Sequence, residues 1–263
     1  MGSATTQART ATTEALTSTS GVDLDVAGEL FAAVGAVSGS AQLSGALSDS
    51  SAPAAARAAL VTAVFGGTYR EVTVALLRSA AEQRWSNAGE FVDGLEELAV
   101  RAAAVADPSA DIEGELFQFS RTVASNGELE LALGGRLGDA SAKSSLVSTL
   151  LDGRAGAATA LIVSSLVQNA HGRRVRALLR RASAIVADQR SSIVATVYAA
   201  TPLSAEQRTR LENALSARYG SAVTLNTVID PTVVGGLRVQ VADDVIDASV
   251  SARLADLRQR IAG

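Results

Sequence analysis

Along the first 190 residues apolar positions recur at helical spacing, broken at short intervals by Gly, Pro, Ser and Asp. Residues 4–17 predict a first, weakly apolar helix through Ala8, Ala11, Ala15 and Leu16, which Ser18-Thr19-Ser20-Gly21 stops. A helix around Gly28-Glu29-Leu30-Phe31 follows, then one around Leu43, then one with Pro53 as its first residue and Gly66-Gly67 as its end. Thr68 opens a helix over residues 69–84, and Asn87 with Gly89 separates it from the next. At Asp107-Pro108-Ser109 proline drives the preceding residue away from helical geometry, and the series starts again. Its last member, residues 171–190, sets Val175, Leu178, Leu179, Ala182, Ile185 and Val186 opposite an arc of Arg173, Arg174, Arg176, Arg180 and Arg181.

After residue 190 the apolar period falls to two. Ile193, Ala195, Val197 and Ala199 form a candidate strand, and Ser204 with Gln207 three residues later opens a helix with a capping box that Gly220 ends. Val223, Leu225, Thr227 and Ile229 then alternate on one strand and Leu237, Val239 and Val241 on the next, with Arg238 and Gln240 facing out. Asp230-Pro231 stops the first of these strands and Gly235-Gly236 permits backbone angles that a β-carbon forbids. A final helix from the Ser249 cap carries Val250, Leu254, Leu257 and Ile261 as one apolar stripe. The expected class is α+β: an all-α N-terminal helical bundle with an internal duplication, followed by a small α/β C-terminal domain. The expected boundaries are 1–106 for the first helical copy, 107–190 for the second and 191–263 for the C-terminal domain.

The duplication is visible without gaps. Gly28-Glu29-Leu30-Phe31 returns as Gly114-Glu115-Leu116-Phe117, an offset of 86, and 13 of the 40 positions from 28 to 67 are identical at that offset. About three or four would match by composition alone, so shared helical patterning does not account for the agreement.

Val223, Leu225, Ile229, Asp230, Val233, Gly235-Gly236, Leu237, Val239 and Gln240, followed by Val245-Ile246-Asp247, Ser249, Val250, Arg253 and Leu254, form a specific run. It resembles the C-terminal signature of the F-type ATP synthase delta subunit (OSCP) family, with Ala242 and Ala248 where that family usually carries glycine. The duplicated helical segment is similar to the enlarged actinobacterial form. The resemblance implies a non-catalytic stator subunit of the peripheral stalk, with no cofactor, held at the cytoplasmic face of the cell membrane through its partners. It implies two partners. The N-terminal helix of the alpha subunit would lie between the first and fifth helices, on Ala8, Ala11, Ala15, Val72, Ala75, Leu76 and Ser79, or on the matching Ala158, Leu161, Ile162 and Ser165 of the second copy. The C-terminal end of the b subunit would meet the final helix at Val250, Leu254, Leu257 and Ile261. A helical-repeat adaptor or regulatory scaffold unrelated to ATP synthase is the alternative that the duplication alone permits.

Composition narrows the chemistry. Hydrophobic residues make up 48% and aromatics only 3%, which suits close-packed helices of Ala, Val and Leu, and a net charge of −4 offers nucleic acid or anionic lipid no overall attraction. With no cysteine and a single histidine, most nucleophile and metal constellations are out of reach. His171 stands where the first copy has Trp85 and reads as structural, and no phosphate-binding glycine motif is present. Glu96-Glu97 and Asp243-Asp244 are the available carboxylate pairs, and neither spacing suits general acid-base work. No catalytic, cofactor-binding or metal residue is expected. The arginine arc reads as a solvated face or a surface for an acidic partner. The N-terminus lacks the apolar core of a secretory signal and no run reaches the length of a membrane span.

Overall fold

Six helices carry the first copy: α1 (Ser3–Ser18), α2 (Leu24–Ser38), α3 (Ala41–Ser48), α4 (Ala54–Phe65), α5 (Glu71–Glu82) and α6 (Ala88–Ala106). Among the described residues five carry the second: α7 (Ile112–Ala124), α8 (Gly127–Gly134), α9 (Ala140–Leu151), α10 (Ala157–Gln168) and α11 (Val175–Gln189). The computed structural model describes residues 2–135, 139–170, 172–190, 192–220, 222–233, 235–241 and 244–247. The chain divides into two compact units, 1–186 and 187–263.

In the first unit one continuous apolar core runs from Ala8 to Val186, so both copies share it. α6 explains how. The offset of 86 carries α1 onto residues 89–104, inside α6, so α6 ends one copy and stands at the head of the other. It buries 12 of its 19 residues, including Phe91, Leu95, Leu98 and Ala99, which a helix packed on a single face would not do. It touches α1, α2, α3 and α5 of the first copy and α10 of the second.

The duplication extends to single hydrogen bonds. Glu29 on α2 accepts from the Arg70 backbone N–H at 3.0 Å and from the Thr73 hydroxyl. At the same offset, Glu115 on α7 accepts from the Gly156 N–H at 3.0 Å and from the Thr159 hydroxyl. In each copy this carboxylate satisfies orphan donors at the N-terminus of the fifth helix. Arg57 is buried and donates to the carbonyls of Asp49 at 3.0 Å, Ala81 at 2.7 Å, Glu82 at 3.0 Å, Gln83 at 3.1 Å and Ala52. Its counterpart Lys143 reaches the carbonyl of Gly135, the counterpart of Asp49. Ser40 and Asn126, 86 apart, cap α3 and α8, and Gln83 and Asn169 bond the carbonyls of Ser79 and Ser165.

Several element starts differ from the sequence expectation, each for a physical reason. Pro53 is the N-cap residue of α4 rather than its first helical residue, in the position where Asp139 caps α9. α5 begins at Glu71 and not after Thr68, because the Glu29 carboxylate, brought in by the fold, takes the Arg70 N–H that a local cap would have served. α11 begins at Val175 rather than at residue 171: Gly172 has a positive φ of 79° and Arg173 and Arg174 precede the helix. His171 lies outside the described residues.

Among the described residues the second unit holds a four-stranded sheet of β1 (Ser192–Ala199), β2 (Ala222–Ile229), β3 (Leu237–Val241) and β4 (Asp244–Asp247), with α12 (Ala205–Tyr219) between the first two strands. Spatial order is β2-β1-β3-β4, with β1 parallel to β2 and the other pairs antiparallel. The Ser204–Gln207 capping box and the left-handed Gly220 are both present, and Leu215, Ala195, Val197, Leu225, Val239 and Val241 form the core. β4 was not foreseen. Val245 is exposed and Ile246 half-buried between acidic residues, a run too short to show period two. Ile229, expected on the core face, is 46% exposed, because it ends an edge strand opposite the last residue of β1, whereas Val228 and Asn226 on the other face are buried. The expected final helix lies outside the described residues.

Candidate partner-binding surfaces

α1 is held in place by polar groups as well as by Ala8 and Leu16 in the core. The Thr5 hydroxyl lies 2.9 Å from Ser86 Oγ and donates to Glu90, and Arg9 meets Glu97 at 3.3 Å. α1 lies against both α5 and α6. On this pair, Ala8 and Leu76 each sit 2% exposed in the core, so they form floor rather than lining. Ala11, Ala15, Val72 and Ser79 are half-buried and Ala75 is exposed. Small side chains at these places let another backbone come close. Arg78 and Glu82 flank Ala75 and Ser79 on the exposed side of α5, charged positions that apolar periodicity along the chain does not single out.

In the second copy Ala158 and Ile162 are fully buried, and Leu161 and Ser165 are half-buried. Leu161 and Ser165 line a cleft of about 580 Å³ whose opposite wall is Gly28, Ala32 and Gly35 of α2. The fifth-helix face is therefore open in one copy and met by α2 in the other.

The arginine arc is largely engaged by the chain's own carboxylates. Arg173 grips Glu96 through two hydrogen bonds of 3.1 and 2.6 Å, and Arg181 meets Asp93 at 3.4 Å and donates to its carbonyl at 3.0 Å. Arg176 pairs with Glu130 at 3.2 Å, while Arg174 and Arg180 are exposed. Three of the five members of the expected solvated or partner-facing surface are thus ion-paired within the chain, joining α11 and its lead-in to α6 and α8, and Arg176 stays exposed in its pair. The same contacts account for Glu96-Glu97. Glu96 is neutralised by Arg173, and Glu97 by Arg101 at 2.8 Å and by Arg9. Removing one partner from so buried a pair costs about 3–5 kcal/mol, less here by the partial exposure of Arg173.

In the second unit the signature residues build a turn. Asp230 Oδ1 accepts from the Thr232 N–H at 2.9 Å and its hydroxyl at 2.6 Å, and these bonds hold the Asp230 carboxyl below the usual range. Gly235 and Gly236 have φ of 60° and 125°, where a side chain is strained. Leu237 and Val239 start the next strand inward, Asp247 pairs opposite Arg238 in the ladder, and the Arg238 guanidinium lies 4.4 Å from the Tyr198 ring centroid. Ser249, Val250, Leu254, Leu257 and Ile261 lie outside the described residues. Among the described residues no group of three or more His, Cys, Asp or Glu could hold a metal ion, and no single helix is long and apolar enough to cross a membrane.

The family model described as ATP synthase delta (OSCP) subunit matches residues 98–261, which takes in the second copy and the C-terminal unit. The ATP synthase subunit delta of Leifsonia xyli subsp. xyli is 46% identical over 265 residues, covering 100% of each chain. That of Streptomyces avermitilis is 40% identical and covers 95% of this chain and 93% of its own. A chain of the mitochondrial ATP synthase hexamer of Toxoplasma gondii is 21% identical and covers 64% of this chain and 98% of itself, with a TM-score of 0.34, which carries no argument about fold or role.

Proposed function

We propose a stator role from the premise that the chain belongs to the ATP synthase delta (OSCP) subunit family. In this reading it is a non-catalytic subunit of the peripheral stalk, binding the catalytic head with its helical unit and the b subunit with its C-terminal unit, so that rotation is coupled to ATP synthesis. The family leaves the unrelated helical-repeat adaptor without support. The observation that carries the reading is the open, small-residue face shared by α1 and α5, the kind of surface on which an amphipathic helix lies in a groove. Its occupant is the N-terminal helix of the alpha subunit, over Ala11, Ala15, Val72, Ala75 and Ser79 with Ala8 and Leu76 beneath.

The family match begins within α6 and points to the second copy as the ordinary family bundle. The first copy nonetheless offers the more exposed face, since Ala75 and Arg78 are exposed where Leu161 and Ser164 are half-buried beside α2. The b subunit falls to Val250, Leu254, Leu257 and Ile261, and attachment at the cytoplasmic face of the cell membrane follows through b alone. A bridging assay tests the role. An immobilised b C-terminal segment is expected to capture the chain, and the captured chain to bind an alpha N-terminal peptide. Deleting Leu254 to Gly263 is expected to abolish capture. A chain that binds each partner separately but never both together is no stator.

A further inference from the structure

The two edges of the sheet are unlike. β4 is short, with Asp244 and Asp247 at its ends, and both brevity and charge discourage an added strand. β2 has neither protection in its own sequence. Ala222–Ile229 contains no charge, glycine or proline and is rich in Val, Thr, Leu and Ile, the composition of a segment that pairs with copies of itself. β1 is equally uncharged, but it is enclosed between β2 and β3. β2 meets β1 on one side, and among the described residues no strand lies on the other.

Backbone groups alternate in direction along a strand, so every second residue of β2 turns its N–H and C=O outward. Asp230, just past the strand, donates its N–H to the Ala199 carbonyl of β1 at 2.9 Å, so the even positions face β1 and Val223, Leu225, Thr227 and Ile229 face out. α12 reaches two of these. Ser216 Oγ accepts from the Val223 N–H at 3.2 Å, and Arg208 Nη2 donates to the Leu225 carbonyl at 2.5 Å. Glu212, one turn along α12, accepts from Arg208 Nε at 3.1 Å and so fixes the guanidinium across the edge. The guanidinium stands where an incoming strand would have to set its own N–H. With Val223 and Leu225 engaged, the outward residues left are Thr227 and Ile229, and Asp230-Pro231 ends the strand directly after them. That stretch falls short of the roughly three residues of the shortest strands.

We infer that Arg208, oriented by Glu212, and Ser216 form an edge guard that keeps β2 from pairing with β2 of a second copy of this chain. The excluded pairing is antiparallel about a twofold axis, with Val223 opposite Ile229 and Leu225 opposite Thr227, a register in which the outward N–H and C=O groups of each copy meet those of the other. The inference concerns the second unit alone and does not rest on the stator reading.

Light scattering on the full chain tests it. Arg208→Ala combined with Ser216→Ala is expected to raise the mass from monomer toward dimer, about twofold, as concentration rises roughly a hundredfold, while the unaltered chain keeps one mass throughout. Arg210→Ala removes an equal charge from the same helix, at a residue paired with Glu206 rather than with the backbone of β2, and is expected to behave as the unaltered chain does. Adding Ile229→Lys to the double variant is expected to restore the monomer, since the new ammonium would have to be buried against Val223 of the second copy. Arg208→Ala alone, which keeps Ser216 on Val223, is the milder variant and is expected to associate less while retaining the circular-dichroism signal of the folded chain. Either variant, folded and still monomeric across the whole range, overturns the inference. Equal association of Arg210→Ala, or association that Ile229→Lys leaves unchanged, overturns it as well.

Discussion

The two helical copies agree in their interior bonds and differ in their outer faces. Glu29 and Glu115 make the same pair of contacts at the same offset, and Arg57 and Lys143 reach the same loop carbonyl. The face of the fifth helix, by contrast, changes from Ala75, Arg78 and Glu82 to Leu161, Ser164 and Gln168. A bond that satisfies a helix terminus cannot be lost without leaving orphan groups, so both copies keep it. A surface answers only to what covers it, and in one copy α2 does.

The largest test of this comparison is at the buried cation. Arg57→Ala removes a donor from five backbone carbonyls, of which Asp49 keeps the Ala52 N–H, and its cost is expected at about 3 kcal/mol or more. Lys143→Ala removes one hydrogen bond, to the Gly135 carbonyl, and is expected to cost about 1–2 kcal/mol. Urea denaturation of the two variants measures the ratio, and equal costs would show that the extra bonds of Arg57 to the C-terminus of α5 carry nothing.

The carboxylate clamps should be nearly equal. Glu29→Ala and Glu115→Ala are each expected to cost about 1–2 kcal/mol, the scale of a lost N-cap. A difference in urea midpoint larger than that whole effect would mean that the copies do not share the clamp as geometry suggests. The Arg70 guanidinium, which contacts Asp23 at 2.8 Å as well as Asp25, is exposed and adds little on the first-copy side.

The smallest effect concerns acid. The Thr5 hydroxyl, with help from Ser86, holds the Glu90 carboxyl below its usual range, and the second copy has Arg176 at the matching position. A depressed folded-state pKa means that the contribution is complete above the unfolded value and is lost as pH falls through the folded one. Thermal melts across the carboxylate range should therefore show a shallower acid decline in Glu90→Gln than in the unaltered chain. Identical slopes would remove this link between α1 and α6.

Legibility followed the range of each interaction. Caps and breaks that use neighbours were readable: the caps Ser204 with Gln207 and Gly220 after α12, and the break at Asn87, which the structure makes the N-cap of α6. Starts that depend on a distant partner were not, as at α5, where the decisive carboxylate is Glu29, or at α11, where Arg173 is held by Glu96. The arginine arc was visible as a pattern, but its acidic partners on α6 are 77 and 88 residues away in sequence, beyond any helical period. Ala11, Ala15, Val72, Ala75 and Ser79 were legible as a small-residue face, while the burial of Ala8 and Leu76 and the flanking Arg78 and Glu82 were not, because a groove floor and a core wall share composition.

By itself the sequence determined the helical series, its duplication at an offset of 86, the switch to period two and the family signature with its Gly235-Gly236 turn. All of these rest on local backbone preference and on identity along the chain. Only the tertiary structure decided that α6 serves both copies, that the edge strand β4 pairs with β3, and that α2 lies on the face of α10 while that of α5 stays open. Those outcomes depend on which of several similar apolar faces meet, and faces built from the same Ala, Val and Leu are told apart by shape and by the few charges between them.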